Sequence, residues 1–297
     1  MKLAAIDIGS NAARLLINEV KIGKKGQPEF IKLNLLRIPL RLGMDVFSHG
    51  EILSERKAMV INSMKIFSDL MSLYQVENYR ACATSAMRDA ANGDEIREIV
   101  KETSGIQIEI ISGDEEAGLI FGNHVAETLD EENDYLYIDV GGGSTELSYF
   151  ENQKLTYKKS FNIGTIRLLN NLVTDDQWKE LKVEIKNHIH HDRPIVAIGS
   201  GGNINKTFSM SKTKDGKPLT LSALKKFLKE LSQLTVEERM KTYHIREDRA
   251  DVLVPALEIY TKVMSWSGIN KIYVPKISVA DGLIKKMYQK ITKGEEE

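Results

Sequence analysis

The chain has one cysteine, six prolines and two tryptophans in 297 residues, and no surplus of either charge: 41 basic residues stand against 42 acidic ones. A lone cysteine forms no intrachain disulfide, which excludes a disulfide-stapled scaffold and fits a reducing compartment. Cys82, between Ala81 and Ala83, reads as packing rather than as a nucleophile. The balanced charge excludes a wholly basic nucleic-acid binder, so any hold on a polyanion must come from local clusters of positive side chains. No apolar run approaches the ~20 residues needed to span a bilayer, and the opening MKLAAIDIGSN reaches Asp7 before a signal-peptide core can form. A cytoplasmic protein that binds neither nucleic acid nor membrane is expected.

What is present is about two domains' length of sequence carrying one plan twice. Residues 2–8, 13–20 and 29–40 read as strands, the first two around a short polar turn. Ser54 is placed as the N-cap of a helix in which Ala58, Ile61, Met64, Phe67, Met71 and Tyr74 recur at helical spacing. A strand near 79–84, helices near 86–102, a strand at 106–111 and a helix from about 113 follow. The plan restarts at 135: strands near 135–140, 145–150 and 154–162, a helix at 174–190, a strand at 194–199, a helix from about 202 and more helices to 267. A strand near 270–274 and a helix at 278–292 close it. Pro255 predicts either a kink in the pattern of 249–267 or a helix starting close to it. The expected class is α/β, with two similar lobes over 1–125 and 126–297 and a final helix able to pack back across the first. The two Asp-Gly turns are expected to face each other across an interlobe cleft.

Five segments can carry chemistry. In Asp7-Ile8-Gly9-Ser10-Asn11 and in Asp139 through Glu146, glycines (Gly9; Gly141, Gly142, Gly143) let backbone N–H groups approach an anion. Ser10, Asn11, Ser144 and Thr145 add polar side chains. Each is either a phosphate cradle or a plain hairpin turn with glycine at positive φ. A carboxylate beside a phosphate repels it unless a divalent cation lies between them, which points to Mg²⁺. Gly199-Ser200-Gly201-Gly202 enters a helix whose N-terminus suits an anion, with Lys206 close by. In Ser112-Gly113-Asp114-Glu115-Glu116, Ser112 and Glu115 form a capping box, which leaves Glu116 as a general base or as a solvated surface group. Thr84, Ser85 and Arg88 are further phosphate donors; Arg41 is another, and Arg14 reads as a surface residue. His188, His190 and His191 read as favourable charge at a helix end rather than a metal site. Lys206, Lys212, Lys214 and Lys217 either track a polyanion or line a solvated loop.

Six segments, DIGSN, ATSAMR, ISGDEEA, DVGGGSTE, GSGGN and RADVLVPA, stand in the order found in the exopolyphosphatase/guanosine pentaphosphate phosphohydrolase family, which the chain resembles from end to end. The resemblance implies two actin-like (ribonuclease H-like) lobes of the actin, Hsp70 and sugar kinase superfamily. It also implies Mg²⁺-dependent hydrolysis of a terminal phosphoanhydride, in inorganic polyphosphate or in guanosine pentaphosphate. By the same resemblance Glu116 matches the catalytic glutamate, and Asp139, Gly141, Gly142, Ser144 and Glu146 match the second phosphate and metal site. Asp7, Gly9, Ser10, Asn11 and Arg88 match the first-lobe side. Ala12 stands where many relatives carry Ser or Thr, and Ser278-Val279-Ala280-Asp281-Gly282-Leu283 replaces the usual Arg-Glu-Gly ending. The C-terminal helical domains of long relatives are missing, which favours short chains or guanosine pentaphosphate as substrate unless a homodimer joins two clefts. A kinase or ATPase of the superfamily, or an alarmone-binding regulator, are the alternatives.

Overall fold

A computed structural model describes residues 1–23, 26–121, 132–189, 193–275 and 278–293. The expected lobe boundary at 125/126, His190 and His191, and the acidic tail lie outside these residues. The chain forms two compact units: Met1–Asn123 with Ser278–Glu297, and His124–Ile277.

The first unit opens with β1 (Lys2–Ile8), β2 (Ala13–Ile22) and β3 (Pro28–Ile38), followed by α1 (Leu42–His49) and α2 (Ser54–Leu73). Then come β4 (Asn78–Ala83), α3 (Ser85–Asp89), α4 (Gly93–Ser104), β5 (Ile108–Ile110) and α5 (Gly113–Phe121). The sheet order is β3-β2-β1-β4-β5, antiparallel from β3 to β1 and parallel from β1 to β5. β1 is buried on both faces, as a central strand with apolar groups packed above and below it must be. Ala4, Ile6 and Ile8 pack with Val60, Met64, Phe67, Ile96 and Val100 of α2 and α4, while Leu3 and Ala5 pack on the opposite face with Leu16 and Cys82. That second face is closed by Leu119 of α5 and by Val279, Ala280, Leu283 and Ile284 of the last helix, Val279–Lys293.

In the second unit, β6 (Asp134–Val140), β7 (Thr145–Glu151), β8 (Lys154–Phe161) and α6 (Thr165–Leu169) precede α7 (Asp175–His188), β9 (Ile195–Ser200) and α8 (Gly202–Met210). β10 (Leu219–Thr220), α9 (Leu221–Ser232), α10 (Val236–Tyr243), α11 (Glu247–Ala250), α12 (Leu253–Trp266) and β11 (Lys271–Tyr273) complete it, and the Val279–Lys293 helix becomes α13. The order β10-β11-β9-β6-β7-β8 repeats the first sheet's plan, with β8-β7-β6-β9-β11 in the places of β3-β2-β1-β4-β5. The expected α/β class with two similar lobes is the one observed.

Several local expectations change. Ser54 is the first helical residue and Leu53 the N-cap; the buried Asp45 carboxylate accepts the Leu53 N–H at 3.0 Å and so serves the helix entrance. Pro255 is the third residue of α12, so it starts rather than kinks a helix, in the first turn where its missing N–H has no intrahelical partner to lose. The expected helices near 86–102 are α3 and α4, with Gly93 opening the second. The short helices α1 and α6 were not expected from the sequence pattern. His188 lies at the end of α7, stacked on Tyr157 with ring centroids 4.3 Å apart.

Cys82 is wholly buried, and burial pushes its thiol up to about 12. A thiol-specific chromogenic reagent is therefore expected to leave the native protein unlabelled and to label it once unfolded. Rapid labelling of the native chain would contradict the packing described for β4.

Candidate active site

Parallel pairing places three of the predicted segments at one end of the first sheet. Ile8 pairs with Ala83, and Ala83 with Ile110, so β1, β4 and β5 end in step. The Thr84 N–H donates to Ile8 O at 3.1 Å and the Ile111 N–H to Ala83 O at 3.0 Å, which carries the alignment into the loops. Gly9, Ser10 and Asn11 thus stand beside Thr84, Ser85 and Arg88, with Ser112 to Glu116 next in line. The hydroxyls of Ser10 and Ser85, both buried, lie 2.8 Å apart; each keeps hydrogen-bonding capacity beyond that bond. Arg88 donates from Nη1 to Ile111 O at 3.1 Å, tying the second segment to the third.

At the start of α5 the Ser112 hydroxyl accepts the Glu115 N–H at 3.1 Å, half of the expected capping box. The Glu115 carboxylate, instead of closing the box, lies 2.8 Å from Arg80 Nη2, which also reaches Glu109 at 2.6 Å. Glu115 is thereby held to β4 and β5. Glu116 is half-buried, its N–H bonded to Ser112 O at 3.0 Å within the first helical turn.

The second unit builds the same end. Asp139 pairs with Ser200 across the parallel β6 and β9, so the 141–144 turn and the Gly201-Gly202 entrance to α8 lie side by side. Gly201 has φ 103°, and a Cβ there would sit 3.1 Å from Asp139 Oδ1 and 3.0 Å from Val140 O; glycine is required by both conformation and space. By contrast, none of Gly9, Gly141, Gly142 or Gly143 has positive φ, so the expected positive φ in these hairpin turns is not observed. The Gly9 N–H bonds Ala12 O at 3.0 Å, and the Gly141 N–H bonds Ser144 O at 2.9 Å. The two turns are closed by the same hydrogen bond. Ser144 and Thr145 are buried, and Thr145 Oγ1 donates to Ile163 O at 2.5 Å.

One difference between the turns matters for charge. Asp7 faces Arg14 across the β1–β2 pair, and Asp139 faces Glu146 at the matching place across β6–β7. Arg14 Nη1 is 2.8 Å from Asp7 Oδ2, which corrects the reading of Arg14 as a surface residue: it neutralises a carboxylate that is itself buried. In the second unit two carboxylates share one face of an antiparallel pair, an arrangement that is repulsive without a cation. Glu146 is buried, with Oε1 accepting from Ser160 Oγ at 2.8 Å, while Asp139 is half-buried. Among the described residues no group of three or more His, Cys, Asp or Glu side chains is placed to enclose a metal. A pair of carboxylates fits Mg²⁺, which keeps several waters and takes its other oxygens from phosphate.

The sequence profile of the Ppx/GppA phosphatase family matches residues 23–291. The chain belongs to this family. It is 25% identical to Exopolyphosphatase 2 of Mycobacterium tuberculosis, over 95% of this chain and 97% of that one. The crystal structure of an exopolyphosphatase from Cytophaga hutchinsonii superposes with a TM-score of 0.81 at 24% identity, covering 97% of both chains. The Ppx/GppA family member of Aquifex aeolicus superposes with a TM-score of 0.74 at 25% identity, covering 100% of this chain and 99% of that one.

Tyr260 of α12 is a supporting residue that the sequence reading missed. It is fully buried, and its hydroxyl donates to Ser200 O at 2.5 Å, bracing the strand end from which the Gly201 turn departs. Burial, then the negative charge of Asp139, holds that hydroxyl well above its ordinary pKa, so it stays a donor. Lys206 is half-buried midway along the nine-residue α8. Lys212, Lys214 and Lys217 follow the end of that helix, which is about 13 Å long. Lys217 lines a separate cavity of about 520 Å³ with Tyr135, Tyr137 and Tyr273.

Proposed function

We propose that this family member releases the terminal phosphate of inorganic polyphosphate by Mg²⁺-assisted attack of water. The observation that carries the reading is the second unit's turn, where glycine N–H groups adjoin two facing carboxylates that suit a cation. Family membership and relatives named as exopolyphosphatases support polyphosphate as the substrate. The turn N–H groups of both units, with Thr84, Ser85, Gly201, Gly202 and Lys206, are proposed to hold phosphate oxygens. Arg88, tied to Ile111 O, offers a guanidinium fork to the phosphoryl oxygens. Glu116, next to a glutamate already committed to Arg80, orients and deprotonates the attacking water. Asp139 and Glu146 would hold Mg²⁺, which when bound offsets the negative charge gathered around the phosphates. Phosphoryl transfer depends mainly on positioning and charge, so no covalent nucleophile is needed.

Guanosine pentaphosphate ends in the same anhydride, and we propose it as a second substrate. Lys212, Lys214 and Lys217 lie beyond the far end of α8, and short polyphosphates should be handled at least as well as long ones. The test is phosphate release from polyphosphates of graded length, guanosine pentaphosphate and ATP, at two salt concentrations, with Mg²⁺ or EDTA. Release from polyphosphate with Mg²⁺ and none with EDTA is expected. Full activity in metal-free buffer would remove the metal, and a salt-sensitive preference for chains of hundreds of phosphates would remove the size limit. No release from any of them would overturn the reading as a whole.

A further inference from the structure

In the second unit, three successive carbonyls of the phosphate turn point to one short helix. The Thr165 N–H donates to Gly141 O at 3.0 Å, the Ile166 N–H to Gly142 O at 2.8 Å, and the Arg167 side chain from Nε to Gly143 O at 2.8 Å. A trans peptide sets its N–H opposite its C=O. Tying the carbonyls of 141, 142 and 143 toward α6 therefore turns the N–H groups of Gly142, Gly143 and Ser144 the other way together. None of these three N–H groups has a hydrogen-bond partner among the described residues. The helix can come this close because its N-cap is Gly164: a Cβ there would lie 2.3 Å from Gly142 O and 2.4 Å from the Gly143 carbonyl carbon.

The first unit does the same with different residues. Ser10 O accepts the Gly43 N–H at 2.9 Å and Asn11 O accepts the Arg41 N–H at 3.0 Å, both from the entrance to α1, the helix that likewise follows the third strand. Arg41 reaches this position with a left-handed backbone, φ 53°. Two units of unlike sequence thus restrain the carbonyls of their turns with the next helix. In the first both bonds come from the main chain. In the second the last bond needs a side chain.

We infer that Arg167 is a positioning residue: through Gly143 O it fixes the peptide orientation that aims the Ser144 N–H, and with it the turn, at the phosphate. The inference rests on the phosphohydrolase reading above and concerns how the same site is held. Misplacing such donors by about 1 Å costs on the order of 10²-fold in rate. The experiment compares Arg167→Ala and Arg167→Lys with the unaltered protein by kcat and KM for polyphosphate, by melting temperature, and by amide hydrogen exchange at Thr165 and Ile166. For Arg167→Ala, kcat should fall by about 10²-fold with KM nearly unchanged, and exchange at both amides should quicken. Lys retains one donor for Gly143 O, so Arg167→Lys should recover most of both. A raised KM with unchanged kcat would make Arg167 a direct substrate contact and overturn the inference. So would equal losses in both variants with a lowered melting temperature, or unaltered kinetics in Arg167→Ala. Hydrogen exchange reports on the restraint whatever the reaction, and phosphate release by the unaltered protein tests the reaction itself.

Discussion

Glu116→Gln is expected to lower kcat on polyphosphate by ~10²–10⁴-fold, the usual span for loss of a general base, while the melting temperature stays in place. Resemblance to the family assigns the catalytic part to Glu116, and the contacts of Glu115 give it a structural one. Glu115 and Glu116 both sit in the first turn of α5, but Glu115 is bound to Arg80, which also holds Glu109. Glu115→Gln loosens an ion pair whose partners are 22% and 35% exposed, worth ~0–1 kcal/mol, and should leave turnover close to normal. Steady-state kinetics on the two variants, side by side with thermal melts, checks the assignment. An inactive Glu115→Gln beside an active Glu116→Gln would exchange their roles.

Asp139→Asn should separate metal binding from folding. Asp139 faces Glu146 across β6–β7, and like charges placed directly opposite each other repel by ~0.2–1 kcal/mol. Removing one charge should therefore raise the melting temperature of the metal-free form slightly. It should also weaken Mg²⁺ binding by at least ~10-fold in calorimetric titration and abolish most activity, since Mg²⁺ binding relies on few protein carboxylates. The matching pair in the first unit predicts the opposite sign: Asp7→Asn loses the charge that pairs with Arg14 and should destabilise. If Asp139→Asn is less stable than the metal-free parent and binds Mg²⁺ as before, the two carboxylates are not a metal pair.

The two Asp-Gly turns were legible because their pattern is written in side chains: an Asp, glycines, hydroxyls, repeated at matching places. The same turns contained a clue that was not used. Once Ile8 is paired with Ala13 and Val140 with Thr145, the hairpin register puts Asp7 opposite Arg14 and Asp139 opposite Glu146, so the charge difference follows by counting. The helices α1 and α6 were illegible for a different reason. They have eight and five residues, no side-chain N-cap, and bonds that run to carbonyl oxygens every residue possesses. Only Gly164 hinted at the second of them. Tyr260 gave no sequence signal, since its role depends on the end of β9, Ser200, sixty residues away in the chain.

The interruption of the first unit by the second has a consequence for synthesis. Leu3, Ala5, Leu16 and Val20 find their packing partners in Val279, Ala280, Leu283 and Ile284, which are translated about 260 residues later. At ~5–20 residues per second that is roughly 13–52 s during which one apolar face of the nascent sheet lacks this cover. The His124–Ile277 segment is continuous and free to fold within that interval. The emerging first unit, meanwhile, carries an apolar surface that is covered only when α13 arrives.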